Sequence, residues 1–420
     1  MFFLYQIFIV ILLIFSPIII SFRILKKKED KVRFKEKFCF PSKKRFAGNL
    51  IWFHGSSVGE LFSILPLVYE LEKNKSINQI LITSSTLSSA EIFKKYRFKK
   101  TVHQFFPIDS VFFSYKFLNY WKPTIAIFVE SEIWPSIFKT LNKKNTPLLL
   151  LNARITKKTF KKWNYIKSFS NSIFENISKA YPQNKETLHY LKKLNVSQIK
   201  SMGNLKFTNN TQDKLIQLNS TLLKNLKSRK VWCASSTHSG EEIMSSKVHL
   251  NLKKKYKNLL TIIIPRHIHR INKIVKEIKD LKLNVVLHSS NPKKLKNTDI
   301  YLVDTYGETK KFYNSTNIVF MGKSLTGNGG QNPLEPARQG ATILYGPNID
   351  NFSDIYELLD KLKITHKVNG VIGLTNLVNK LMIKPNNKKN YLKIAKIGKK
   401  TLSKTEDEIN TLLNNEIKKT

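Results

Sequence analysis

The chain has 420 residues, 41% of them hydrophobic, enough for two globular domains with separate cores. Its two cysteines, Cys39 and Cys233, lie far apart with no CxxC or His-rich neighbour, which excludes a disulfide framework and gives no structural zinc signature. The net charge of +43 raises nucleic acid as a partner, but only nine of the 72 basic residues are arginine, in a chain rich in Lys, Asn and Ile. That bias reads as a solvated basic surface. With no basic-aromatic interleaving and no nucleic-acid motif, no nucleic-acid partner is expected.

Residues 1–22 are apolar and uncharged up to Arg23, and Lys26, Lys27 and Lys28 follow. A helix of that length is about 30 Å long, the thickness of bilayer hydrocarbon. The charged n-region and small-residue cleavage site of a signal peptide are missing, so residues 1–23 are expected to be a membrane anchor. Basic residues on its C-terminal side place the rest of the chain in the cytoplasm. A basic connector, 24–48, comes next.

From residue 49 short apolar runs alternate with helical stretches, the βα pattern of parallel sheets. Strands are predicted at Leu50–Phe53, Gln79–Thr83, Ile125–Val129 and Leu148–Leu151. A second set follows at Val231–Ala234, Leu260–Ile264, Val285–Leu287, Ile300–Val303, Ile318–Met321 and Thr342–Tyr345. Between them, 211–229 is polar and lacks a strand. The expected organisation is an α/β pair of doubly wound Rossmann-like domains, 49–210 and 230–420, facing a cleft, with ligands beyond the carboxyl ends of the strands.

Three strand ends concentrate chemistry. HGSSVGE (His54–Glu60) places Glu60 where a carboxylate can act as a general base; the same spacing is a capping box, and spacing alone does not separate the two. ESEIWP (Glu130–Pro135) sets two carboxylates at a strand end, where burial demands cations or substrate hydroxyls as partners. Six of the fifteen glycines fall between Gly322 and Gly346. That loop follows a predicted strand and leads into a helix near Asn332–Pro336, an arrangement that favours phosphate or nucleotide over an ordinary tight turn, with Glu335 near a ribose. There is no Walker lysine and no complete GxGxxG. Arg154, Arg266 and Arg338 lie in such motifs and suit an acidic sugar or a phosphate.

HGSSVGE, ESEIWP, LNARIT, GNLKF, ASSTHSGEE (Ala234–Glu242), IIPRHIHR, DTYGE (Asp304–Glu308) and GGQNPLEP (Gly329–Pro336) occur in the order found in Kdo (3-deoxy-D-manno-octulosonic acid) transferases, which the chain resembles over about residues 50–352. The resemblance implies a GT-B type fold and an inverting, metal-independent glycosyltransferase without cofactor. The implied donor is CMP-Kdo and the acceptor a lipid A precursor (lipid IVA) at the inner membrane, in lipopolysaccharide core biosynthesis. Carried over by motif, the proton acceptor is Glu60 and the transition-state stabilisers are Glu130 and Lys206. The CMP contacts are Pro265, Arg266, Tyr306, Gly307, Glu308, Asn332, Pro333, Leu334 and Glu335. Two positions depart from the family pattern. Gln331 stands where His is usual, and can hydrogen-bond but carry no charge; Tyr306 replaces an aliphatic residue or Met. The alternatives are another membrane-associated GT-B transferase with a different nucleotide sugar, or a basic membrane-tethered nucleic-acid-binding protein.

Overall fold

In the computed structural model the described residues are 1–208, 218–292, 294–383 and 389–419. The chain divides into two compact units, Met1–Asn210 with Ile397–Thr420, and Thr211–Lys396.

The first unit is built on a six-stranded parallel sheet of β1 (Leu50–His54), β2 (Gln79–Ser84), β3 (Thr101–Phe105), β4 (Ile125–Val129), β5 (Leu148–Ala153) and β6 (Lys179–Pro182). Its order is β3-β2-β1-β4-β5-β6. Every residue of β1, β2, β4 and β5 is buried. This explains why these strands read as unbroken apolar runs: helices cover both faces of a parallel sheet, so neither side chain direction meets water. One face packs Trp52, Phe117, Phe128 and Phe138. The other packs Ile51, Phe53, Leu67 and Ile127. Strand order reverses between β1 and β4, so the loops leaving these two strands diverge and open a crevice at their carboxyl ends.

The second unit has seven parallel strands: β7 (Lys230–Thr237), β8 (Leu259–Pro265), β9 (Val285–Leu287), β10 (Ile300–Leu302), β11 (Ile318–Met321), β12 (Thr342–Tyr345) and β13 (Thr365–Lys367). Their order is β13-β12-β11-β7-β8-β10-β9, and here the reversal falls between β7 and β11.

All ten predicted strands form. The three unpredicted ones, β3, β6 and β13, are sheet edges. β3 and β13 are also polar (Thr-Val-His-Gln-Phe and Thr-His-Lys), so neither carries the run of apolar residues that marks a doubly covered strand.

One expectation about organisation changes. Residues 397–420, placed in the second domain, belong to the first unit. Ile409 and Leu413 of the helix Lys389–Ile417 enter its core, and Glu408 accepts hydrogen bonds from Lys179 Nζ at 2.6 Å and Tyr181 at 3.2 Å. Gly398 lets this helix approach residue 207 so closely that a Cβ there would sit 2.2 Å from the Phe207 carbonyl oxygen. The segment 211–229 lies outside the described residues over 211–217, and its remainder holds a helix, Ser220–Lys227, that buries Leu222 and Leu226.

The anchor sequence forms one helix, Phe2–Leu25, long and apolar enough to cross a membrane. The basic connector is less exposed than its charge suggests. Buried Glu36 accepts a hydrogen bond from the Phe105 backbone N–H at 2.7 Å, and Arg33 donates to the His103 carbonyl at 2.9 Å, so residues 33–38 clasp the β3 edge.

Candidate active site

Glu60 lies in the first turn of the helix Val58–Leu71, reached from the end of β1 by a short loop. The capping box is real: Ser57 caps the helix, and its hydroxyl and backbone N–H bond the Glu60 carboxylate at 2.9 and 3.3 Å. Capping does not consume the carboxylate's chemistry. Burial, then the negative charge of Glu132, and finally that of Glu130 outweigh the Ser57 hydrogen bonds and push its pKa up to about 7. A carboxylate poised there is a far stronger base at neutral pH than an exposed one.

The two carboxylates of ESEIWP part company. Glu130, at the end of β4, is buried, takes a left-handed backbone at φ 57°, and pairs with Lys206 Nζ at 2.7 Å. Glu132 is held by three donors: His54 Nε2 at 3.1 Å, Ser56 Oγ at 2.6 Å and Trp134 Nε1 at 2.8 Å. Burial would raise its pKa, but these hydrogen bonds win and hold it below the usual carboxylate range. Fully buried His54 has its own pKa lowered by burial, so it stays neutral and donates Nε2–H to Glu132. Glu132 thus remains an anion beside Glu60.

Lys206 lies in a short turn, Leu205–Phe207, capped by Asn204, and Asn152 at the end of β5 accepts the Leu205 N–H at 3.0 Å. Glu60, Glu130 and Lys206 therefore come from the ends of β1 and β4 and from a turn tied to β5, all on the carboxyl edge of one sheet.

In the second unit the predicted nucleotide residues share another such edge. Pro265 ends β8, buried, and Arg266 follows it exposed. After β10 come Tyr306, 69% exposed, Gly307 at φ 83°, and Glu308, which pairs with Lys311 at 2.8 Å and lies 3.7 Å from His288. After β11, Asn332 Oδ1 accepts the Leu334 N–H at 3.1 Å, Pro333 and Leu334 are buried, and Glu335 is exposed, 4.0 Å from Lys310. The helix expected here is one short turn, Leu334–Arg338, because Pro336 and Gly340 curtail it. Its dipole is correspondingly small, and backbone amides are what the loop has to present to an anion. Gln331 Nε2 lies 3.5 Å from His238 Nε2, and its carbonyl accepts from Tyr356 at 3.1 Å.

The residue missed by sequence reading is Glu241. Completely buried, it accepts the backbone N–H groups of His238, Lys323, Ser324 and Leu325 at 2.7–3.1 Å, stitching the loop after β7 to the loop after β11. Beside it Glu242 accepts from Thr237 at 3.0 Å and from both terminal nitrogens of Arg270. Two adjacent acidic residues in the first turn of a helix complement its dipole wherever they stand. Nothing in the sequence showed that amides of residues 323–325 would close over one of them. Gly322 makes that closure possible, since a Cβ there would lie 2.4 Å from the Ser236 carbonyl.

Two parallel α/β units, one with carboxylates and a lysine at the carboxyl edge of its sheet and the other with a Gly-rich loop at its own, have the architecture of a GT-B type glycosyltransferase. Solved structures agree on the architecture. UDP-GlcNAc 2-epimerase from Neisseria meningitidis superposes with TM-score 0.57 at 13% identity, covering 88% of this chain and 100% of that one. The trehalose-6-phosphate synthase OtsA gives 0.54 at 8%, covering 87% and 99%. The family model described as 3-deoxy-D-manno-octulosonic-acid transferase (kdotransferase) matches residues 32–209. A 3-deoxy-D-manno-octulosonic acid transferase of Rickettsia bellii is 35% identical over 383 residues, 89% of this chain and 90% of that protein. One from Haemophilus influenzae is 30% identical over 420 residues, 96% of each. The chain belongs to the 3-deoxy-D-manno-octulosonic acid (Kdo) transferase family.

Proposed function

We propose that this chain transfers Kdo from CMP-Kdo to a lipid A precursor at the cytoplasmic face of the inner membrane, with inversion and without a metal ion. The observation that carries the reaction is the setting of Glu60: a carboxylate whose pKa is raised to about 7, close to Glu132 with its three donors, at the strand-order reversal of its sheet. Glu60 takes the proton of an acceptor sugar hydroxyl as that oxygen bonds to the anomeric carbon of Kdo. The bond from that carbon to the CMP phosphate oxygen breaks, and CMP leaves with its electron pair. Lys206, steered by Glu130, offsets negative charge on the sugar carboxylate or the departing phosphate. Pro265, Arg266, Tyr306, Gly307, Glu308 and Asn332 through Glu335 form the CMP side, where amides further along the loop, whose start Glu241 pins at residues 323–325, receive the phosphate. The sequence contains no DxD motif, which fits charge stabilisation by Lys206 and amides.

Incubation of the detergent-solubilised chain with CMP-Kdo and lipid A precursor, followed by mass spectrometry of the lipid, tests the reading. The expected product is heavier by one or more Kdo units. No mass gain, or gain only with a UDP-sugar, sinks it. Thermal protection by CMP and not by UDP is the corresponding binding result.

A further inference from the structure

The helix Phe2–Leu25 has a covered stripe that runs its whole length. Ile9, Ser16 and Ile20 are buried, and Phe2, Tyr5, Gln6, Leu13, Arg23 and Ile24 are half-buried, a spacing of three and four residues that defines one helical face. The remaining circumference is exposed and apolar, including Phe3 at 74%, Ile14 at 69% and Ile18 at 69%. A helix crossing a bilayer alone would be bare on every side.

The two ends of this segment are tied to neighbouring residues of the first unit. Near the start, Tyr5 donates to Asp109 Oδ2 at 2.6 Å and Gln6 Nε2 donates to Ser136 Oγ at 2.8 Å, while Phe2 and Tyr5 pack against the core around Trp52. Asp109 is itself fixed by the N–H groups of Ser136 and Ile137 at 3.0 and 2.9 Å. Beyond the helix, the Lys37 carbonyl accepts the Ile108 N–H at 2.9 Å. Residues 5 and 37 therefore bind residues 109 and 108. A spanning helix would put them on opposite sides of about 30 Å of hydrocarbon.

Polarity along the helix fits a partly covered position. Pro17 cannot donate to the Leu13 carbonyl, and Ser16 Oγ takes up that carbonyl at 2.7 Å from within the buried stripe. Past the helix end, Lys26, Lys27, Lys28, Lys31 and Lys35 are exposed, while nearby Glu29 and Glu36 are already paired with Arg23, Lys37 and Arg33. The apolar face thus ends in a cationic collar suited to anionic phospholipid headgroups.

We infer that this helix does not cross the membrane: it stays docked on the first unit and lies in the plane of one leaflet, its outer face in the acyl chains of an anionic phospholipid layer. This rests on the membrane-bound Kdo transferase reading, and it has the catalytic unit lying on the leaflet instead of hanging from a tether.

The test uses the full chain with a cysteine inserted after Met1, in a Gram-negative host; Cys39 and Cys233 are buried and shielded from reagent. A membrane-impermeant maleimide is applied to intact spheroplasts and to inverted inner-membrane vesicles. In parallel, benzoylphenylalanine at Gln6 is photolysed in the same vesicles, and the purified chain is floated with vesicles of phosphatidylethanolamine and phosphatidylglycerol. The expected result is flotation, labelling in inverted vesicles with none in spheroplasts, and a crosslink from residue 6 to the peptide containing Ser136. Flotation with labelling from the periplasmic side and no crosslink overturns the in-plane position and leaves the membrane reading intact. Failure to float overturns both. Kdo transfer assayed in detergent is read independently of either.

Discussion

Lys206 Nζ lies 2.7 Å from Glu130 Oε1, a partly buried ion pair that joins the end of β4 to a turn held by β5. The two act as a unit, because either alone is a charge in a poorly hydrated crevice. Lys206→Ala is expected to lower kcat by about 10²–10³-fold, the usual cost of removing one transition-state donor. Glu130→Gln should lower it less, and the double variant should be no worse than Lys206→Ala. Steady-state rates for the three variants form the cycle, and additive losses would show that the residues act separately.

Glu60 has to be ionised to accept a proton. Its pKa is raised, so the carboxyl is protonated, and idle, below about 7. kcat/KM should therefore rise with pH, close to tenfold per unit well below 7, and flatten above it. Glu132→Gln removes the neighbouring anion that helps raise this pKa, and the rising limb should move to lower pH. A limb that stays in place when Glu132 is neutralised would mean that its charge is not felt at the base.

Glu60 also caps a helix, and its two roles can be pulled apart. Glu60→Gln retains an oxygen for the Ser57 donors but cannot take a proton. Transfer should fall by about 10²–10⁴-fold, the typical worth of a general base. The melting temperature should stay near that of the parent chain, and CMP binding, which the proposal assigns to the second unit, should be unchanged in calorimetric titration. Retained activity would reassign the base.

Glu241 tests the CMP side without touching any predicted CMP contact. Glu241→Ala strands the N–H groups of residues 323–325, and each hydrogen bond to a charged acceptor is worth about 1.5–3 kcal/mol. CMP affinity should drop at least tenfold and the second unit should lose thermal stability. Gly322→Ala, which drives a Cβ into the Ser236 carbonyl, should damage the same closure from the other side.

What could be read without coordinates followed from local rules. A strand covered on both faces must be apolar at every position, so central strands such as β1, β4 and β11 show themselves as short apolar runs. The edge strands β3 and β13 escape because polar residues are tolerated where one flank lacks a partner, whereas β9, an apolar edge, shows itself. The helix Lys389–Ile417 is rich in Lys and Asn, and nothing in its composition takes it out of the second domain that it follows in sequence. Its destination depended on Ile409, Leu413 and the close approach at Gly398, none of which announces a partner.

The site divides along the same line. Sequence alone determined that carboxylates, a lysine and a glycine-rich loop stand at strand ends, and the ordered motifs attached roles to them. Only the tertiary structure decided which charges meet: Glu130 with Lys206, Glu132 with His54, Ser56 and Trp134, Glu241 with the amides beyond Gly322. Electrostatic environment depends on distance and burial through space, and residues far apart along the chain carry no mark of either. The apolar N-terminal segment is the same case. Composition made it a membrane helix, and the bonds from Tyr5 and Gln6 to Asp109 and Ser136 gave it a direction relative to the domain it serves.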